Sequence, residues 1–148
     1  MAHYEVWRKT DNEPGYRFVS EVAGHENVFS RNMAQDAFDH QYVIRARQKN
    51  GPYESWSTPL AFKFEHAVEI PNIITPNGDG YNEYFHISKI ELYRKSELRI
   101  LDRWGKEVLY RVNYQNNWNG DGLSSGVYYY FLNLRRNNQV YKGTLTIF

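Results

Sequence analysis

Oxygen-bearing groups crowd one short segment, Asn77-Gly78-Asp79-Gly80-Tyr81-Asn82-Glu83. The Asn77 amide, the Asp79 carboxylate, the Tyr81 carbonyl and then the Asn82 amide or the Glu83 carboxylate offer oxygens at alternate positions, and Gly78 and Gly80 let the chain turn tightly between them. Calcium takes about six to eight such oxygens. The EF-hand order is not met, because Tyr81 stands at the third ligand position and the glycine is displaced. Only two carboxylates are local, and Asp121 adds a third only if its loop meets this one. The competing chemistry is an Asx-turn network, in which Asn77 and Asp79 accept backbone N–H groups. The turn network is the expected outcome and calcium binding the alternative.

The other reactive side chains are scattered. His3, His25, His40, His66 and His86 show no metal-ligand spacing and are expected to be surface or satisfied structural residues. Cysteine is absent, so there is no disulfide, thiol nucleophile or thiolate zinc site. No nucleophile elbow, phosphate loop or dinucleotide fingerprint occurs, and the chain is read as non-enzymatic with no cofactor other than the calcium alternative. Trp104-Gly105 and Trp118-Asn119-Gly120 suit tight corners whose indoles anchor loops to a core, in preference to stacking on a glycan. Arg135, Arg136 and Lys142 form a small basic group, either a solvated face or a contact for a partner.

These residues must be held by strands. Aromatics make up 17% of the 148 residues, which favours sheet. Residues 1–68 carry eight basic and nine acidic groups and residues 69–148 ten and eight, so neither half has the basic excess of a nucleic-acid binder. No run approaches the roughly 18 apolar residues of a membrane span. The opening Met1-Ala2-His3-Tyr4 lacks the basic segment and apolar run of a secretory leader.

Period-two alternation predicts strands at 4–8, 17–22, 28–30, 41–47 and 58–64, with the first two forming a hairpin. Residues 33–38 are long enough for one helical turn. Glu65 to Asn72, stiffened by Pro71, reads as the linker. Beyond it, strands are expected around Phe85 and Ile87, Leu98 and Ile100, Val108 and Tyr110, and Tyr128 to Leu134. A turn at Asn137-Asn138 then leads into Tyr141 to Phe148. Gly126 and Gly143 mark turn or close-approach positions. Seven or so short strands in about 80 residues argue for a β-sandwich.

Four motifs follow in order: Ile74 to Phe85, Asp102-Arg103-Trp104-Gly105-Lys106, Asn117-Trp118-Asn119-Gly120 and Ser125-Gly126-Val127-Tyr128, before the ending Lys142-Gly143-Thr144-Leu145-Thr146-Ile147-Phe148. Together they resemble the type B C-terminal sorting domain of the Bacteroidetes type IX secretion system, the gliding-motility-associated C-terminal domain family. The resemblance covers Ile70 to Phe148. It implies an immunoglobulin-like β-sandwich over residues 69–148, with Trp104, Gly105, Trp118, Gly120, Gly126 and Tyr128 as its structural motif residues. It also implies recognition by the type IX outer-membrane translocon, with an accessory outer-membrane protein, and delivery of cargo to the cell surface or medium. A calcium- or glycan-binding adhesive module is the alternative. Because the motifs are dispersed, the signal is expected to be a folded surface. Its leading components are Arg135, Arg136, Lys142, Gly143 and Phe148, on a terminal strand expected to form a sheet edge open to strand addition.

In residues 1–68, Tyr4 to Arg8, Tyr42 to Arg47 and Glu54 to Pro59 resemble the later strands of a fibronectin type III domain, with Tyr42 as the corner tyrosine. Too few residues precede Tyr4 to supply that family's first strands. A partial sandwich is therefore expected, its apolar residues Tyr4, Val6, Tyr42, Ile44, Leu60 and Phe62 covered by the second domain or by self-association.

Overall fold

The computed structural model describes residues 2–26, 28–31 and 36–148. It is all-β, with helical structure among the described residues confined to a single 3-10 turn at Ile90–Leu92. The chain divides into two compact units, Met1–His66 and Ala67–Phe148.

The first unit is a five-stranded sheet made of β1 (Ala2–Thr10), β2 (Arg17–Ala23), β3 (Asp39–Gln48), β4 (Glu54–Trp56) and β5 (Leu60–Lys63). Its order is β2-β1-β3, with β4 and β5 both pairing antiparallel to the far side of β3. Thr58-Pro59 interrupts that shared edge because proline donates nothing to a ladder. Ser57 bridges the gap: its N–H donates to the Ile44 carbonyl (2.8 Å) and its Oγ accepts from the Ile44 N–H (2.9 Å). The short strand expected at 28–30 has no ladder, and residues 33–35 of the expected helical turn lie outside the described residues.

Pairing of Val6 with Ile44, Arg8 with Tyr42, Tyr42 with Leu60 and His40 with Phe62 puts the alternating apolar set on one face. Val6 and Val22 are buried there, whereas Ile44 is 45% and Leu60 60% exposed. The other face is held by polar and aromatic contacts. Trp7 packs against Phe18 and Trp56 (centroids 5.9 and 5.7 Å). Glu5 accepts from the Trp7 indole (3.0 Å) and from Arg47 (3.2 Å), while Arg45 pairs with Glu54 and lies over Trp56.

The second unit is a sheet ordered β6-β10-β9-β7-β8, comprising β6 (Ile73–Ile74), β7 (Ser96–Leu101), β8 (Glu107–Val112), β9 (Gly126–Leu134) and β10 (Gln139–Ile147). All neighbours are antiparallel except the short β6, which runs parallel to the end of β10. Leu98, Ile100, Leu132, Leu134, Leu145 and Ile147 form the buried face. The opposing layer is irregular chain carrying buried Phe85, Ile87, Ile90, Tyr93, Tyr114 and Trp118.

Phe85 and Ile87 point inward and His86 outward, as alternation predicts, yet they form no ladder. Asn116 takes the place of a strand partner. Its side chain accepts from the Ile87 N–H (2.8 Å) and donates to the Ile87 carbonyl (3.1 Å). The Phe85 N–H donates to the Trp118 carbonyl (2.9 Å), and the Tyr114 hydroxyl donates to the Phe85 carbonyl (2.8 Å). An extended segment is thus satisfied without a second strand.

Candidate functional site: the surface and corners of the second unit

The Asn77–Glu83 segment is a closed network of turns. Asn77 Oδ1 accepts from the Asp79 N–H (3.0 Å), Asp79 Oδ1 from the Tyr81 N–H (2.8 Å), and Glu83 Oε1 from the Gly80 N–H (3.2 Å). The second Asp79 oxygen accepts from the Asn77 amide (3.1 Å), and the Tyr81 carbonyl accepts from the Thr75 hydroxyl (3.2 Å). All four groups proposed as calcium ligands, those of Asn77, Asp79, Tyr81 and Glu83, therefore serve local hydrogen bonds. Asp121 does not complete a metal cluster with them: among the described residues no group of three or more His, Cys, Asp or Glu is arranged to hold a metal ion.

The two corner tryptophans behave differently. Trp118 is 3% exposed and packs edge-on against Phe85 (6.5 Å), so it anchors its loop to the core as expected. Its neighbour Gly120 lies close to Ile147 at the end of β10. Trp104 is 86% exposed, which corrects the expectation that it packs on the core. The β7–β8 corner is instead closed by Asp102, whose Oδ1 accepts from the N–H groups of Trp104 (2.8 Å) and Lys106 (2.9 Å). Gly105, at φ 80°, completes the turn. With the backbone fixed this way, the indole is not needed to hold the corner and projects into solvent.

Gly126 opens β9 beside the Arg103 guanidinium, and Tyr128, two residues on, is buried and donates its hydroxyl hydrogen to the Ser124 carbonyl (2.8 Å). Gly143 faces Tyr130 across the β9–β10 pair, and a Cβ there would lie 2.6 Å from the tyrosine oxygen. The ring of Tyr130 thus occupies the space a side chain at 143 would need. Burial raises the Tyr130 hydroxyl above its usual range and pushes Tyr114 up to about 12.

The basic group is not one patch of equals. Arg135 is neutralised by Glu97 (2.6 Å), and Arg136 is exposed at the β9–β10 turn. Lys142 sits mid-strand on the outer sheet face, paired in register with Phe131. Phe148 is exposed, and its N–H donates to the Ile74 carbonyl (3.2 Å). The expectation that β10 is an edge strand is met only in part. Its last residues are covered by β6, and the rest of that side has no partner among the described residues.

Of the histidines, His40 and His66 are buried, with Nε2 directed at the Ala37 carbonyl (3.3 and 2.8 Å), which makes them structural residues of the first unit.

The sequence motifs thus converge on corners and one outer face of a single folded unit, with no catalytic constellation among them. Residues 68–147 match the family model described as CHU_C Type IX secretion signal domain. No curated protein and no solved structure matches the chain. The matched segment is more than half of the chain and coincides with the second unit, so the protein belongs to the type IX secretion signal domain family.

Proposed function

We propose that the second unit is a folded address by which the type IX outer-membrane translocon, with an accessory outer-membrane protein, captures a larger cargo and releases it at the cell surface or into the medium. The observation that carries this reading is the family match over 68–147. The dispersal of its motifs supports a signal made of folded surface: Asn77 to Glu83, Trp104 and Gly126 to Tyr128 are far apart in sequence and are joined only by the fold. The reading is tested by fusing residues 1–148 behind an inert reporter with an N-terminal export leader. Reporter should reach the surface or medium of a type IX-competent bacterium and remain in the periplasm when the translocon is deleted. Retention in both strains would overturn it.

The first unit reads as the later strands of a fibronectin type III-like spacer. Exposed Ile44, Leu60 and Phe62 on one face of its sheet support this, since a sandwich needs a second layer there. Concentration-dependent sedimentation of the full chain, abolished by Ile44→Lys, is the expected sign that this face self-associates.

A further inference from the structure

The open side of β10 has a defined register. The Thr146 N–H donates to the Asn72 carbonyl (2.8 Å) and the Phe148 N–H to Ile74, so the even-numbered residues of β10 turn their backbone groups away from β9. By the same alternation Val140, Lys142 and Thr144 direct N–H and C=O to that side. Nothing in the described sheet pairs with them, because β6 contributes only Ile73 and Ile74. The β6 ladder begins at Ile73, so its cover reaches only the end of β10 and leaves the outward groups of Val140, Lys142 and Thr144 open.

The side chains of these three residues lie on the outer face, in register with Asn133, Phe131 and Tyr129. Phe131 and Tyr129 are exposed, and a concavity of about 410 Å³ lined by Arg99, Phe131, Asn133 and Val140 among others opens on the same face. Lys142 stands at the centre of the run and forms no ion pair among the described residues. A second copy added antiparallel about the centre of the run would set Lys142 directly against Lys142, and like charges facing each other across a ladder are unfavourable.

We infer that the Val140–Thr144 edge of β10 accepts an extended segment of the secretion machinery, with a carboxylate opposite Lys142 and apolar or hydroxyl side chains over Tyr129 and Phe131. This rests on the secretion-signal reading and specifies the surface it uses. Backbone pairing supplies affinity, and Lys142 both selects an acidic partner and discourages pairing with another copy.

Two measurements test it. In hydrogen exchange on the purified full chain, the amides of Lys142 and Thr144 should exchange far faster than those of Tyr141, Gly143 and Leu145, whose groups face β9. Equal protection would mean that the edge is closed and would overturn the proposal. The second measurement is export of the reporter fusion. Thr144→Pro removes one outward N–H without taking a bond from β9, and Lys142→Glu reverses the central charge. Each should keep the melting temperature of the parent and lower export roughly tenfold, with Lys142→Arg restoring it. If Thr144→Pro fails to fold, Val140→Pro and Lys142→Glu carry the same test. Normal export from stable variants would sink the inference and leave the secretion reading intact. Failure of the unmodified fusion to be exported would instead remove the secretion reading itself. A dimer that Thr144→Pro dissociates, together with unchanged export, would assign the edge to self-pairing and overturn the proposal.

Discussion

The two units spend their interiors on different chemistry. In the first, the buried set among the described residues includes Glu5, Thr10, His40 and His66 beside a few apolar side chains such as Val6, Phe38 and Val43. In the second, Ser96 is the one polar residue in that set, and the sheet closes over aliphatic and aromatic side chains from Ile74 to Ile147. A core of apolar surface holds few groups that titrate near neutral pH and is costly to hollow out. A sheet held by ion pairs and indole contacts is cheap to alter at its surface and sensitive to protonation. The delivery unit thus has the self-sufficient core, and the unit before it relies on directional contacts.

The sharpest way to break this contrast is to truncate one residue in each unit. Leu132→Ala, at a fully buried position, should cost about 2–5 kcal/mol in urea unfolding. Ile44→Ala, nearly half exposed, should cost no more than about 1 kcal/mol. Similar losses at the two sites would show that the first unit has a core as demanding as the second.

A smaller effect is expected at Gly143. Gly143→Ala must displace the Tyr130 ring, at a cost of about 1–3 kcal/mol. Combining it with Tyr130→Leu should recover most of that loss. No recovery in the double variant would show that the backbone at 143, rather than the ring, sets the requirement.

pH should separate the units by sign. The Trp7 indole, then Arg47 and Arg45, hold the Glu5 carboxyl below its ordinary 4.5. A lowered carboxylate pKa contributes stability above the unfolded value, and that stability is lost as pH falls through the folded one. The first unit should therefore weaken in acid, below about pH 4.5, and Glu5→Gln should flatten the profile. Tyr114 behaves in the opposite sense. Its hydroxyl titrates at about 12 in the fold against 10.0 ordinarily, so its contribution is complete below pH 10.0 and lost as pH rises toward 12. Melting curves with tryptophan fluorescence across both windows would check this, and Tyr114→Phe should remove the alkaline arm.

The smallest effect concerns the Asn77–Glu83 turn. Asp79→Ala removes an acceptor from exposed N–H groups and should cost about 1 kcal/mol or less. Added calcium should leave the melting temperature of the parent unmoved. A calcium-dependent rise that Asp79→Ala abolishes would reverse the assignment and make this loop a cation site.

Much of this was legible in the chain. Alternation located both hairpins of the second unit because its strands have one buried face, so Tyr128, Leu132 and Leu134 announce themselves at period two. The same signal misled at Phe85 and Ile87, where an asparagine side chain stands in for a neighbouring strand, and such a partner leaves no periodic trace. Alternation missed the β4 segment at Glu54–Trp56, because three exposed residues carry no pattern, and only the fibronectin type III resemblance pointed to it. Trp104 was misjudged for a different reason. Composition says that tryptophan prefers burial, but only the geometry of Asp102 shows that its corner closes without the ring. The open run on β10 was half visible. Lys142 on a final strand suggested an edge, while the two-residue β6 that caps it could not be read from Ile73-Ile74 alone.

That small parallel strand also bears on the order of folding. Ile73 and Ile74 reach Thr146 and Ile147 only across nearly the whole unit, whereas β7–β8 and β9–β10 are joined by short turns. Closing a loop of that length carries an entropic cost before any ladder bond repays it, so the hairpins should zip first and β6 should dock last. Until it does, the whole outer side of β10 is unpaired, from Val140 to Phe148. An early intermediate would therefore offer a longer landing strip than the finished fold, and φ-values near zero at Ile74 beside high values at Leu132 would reveal it.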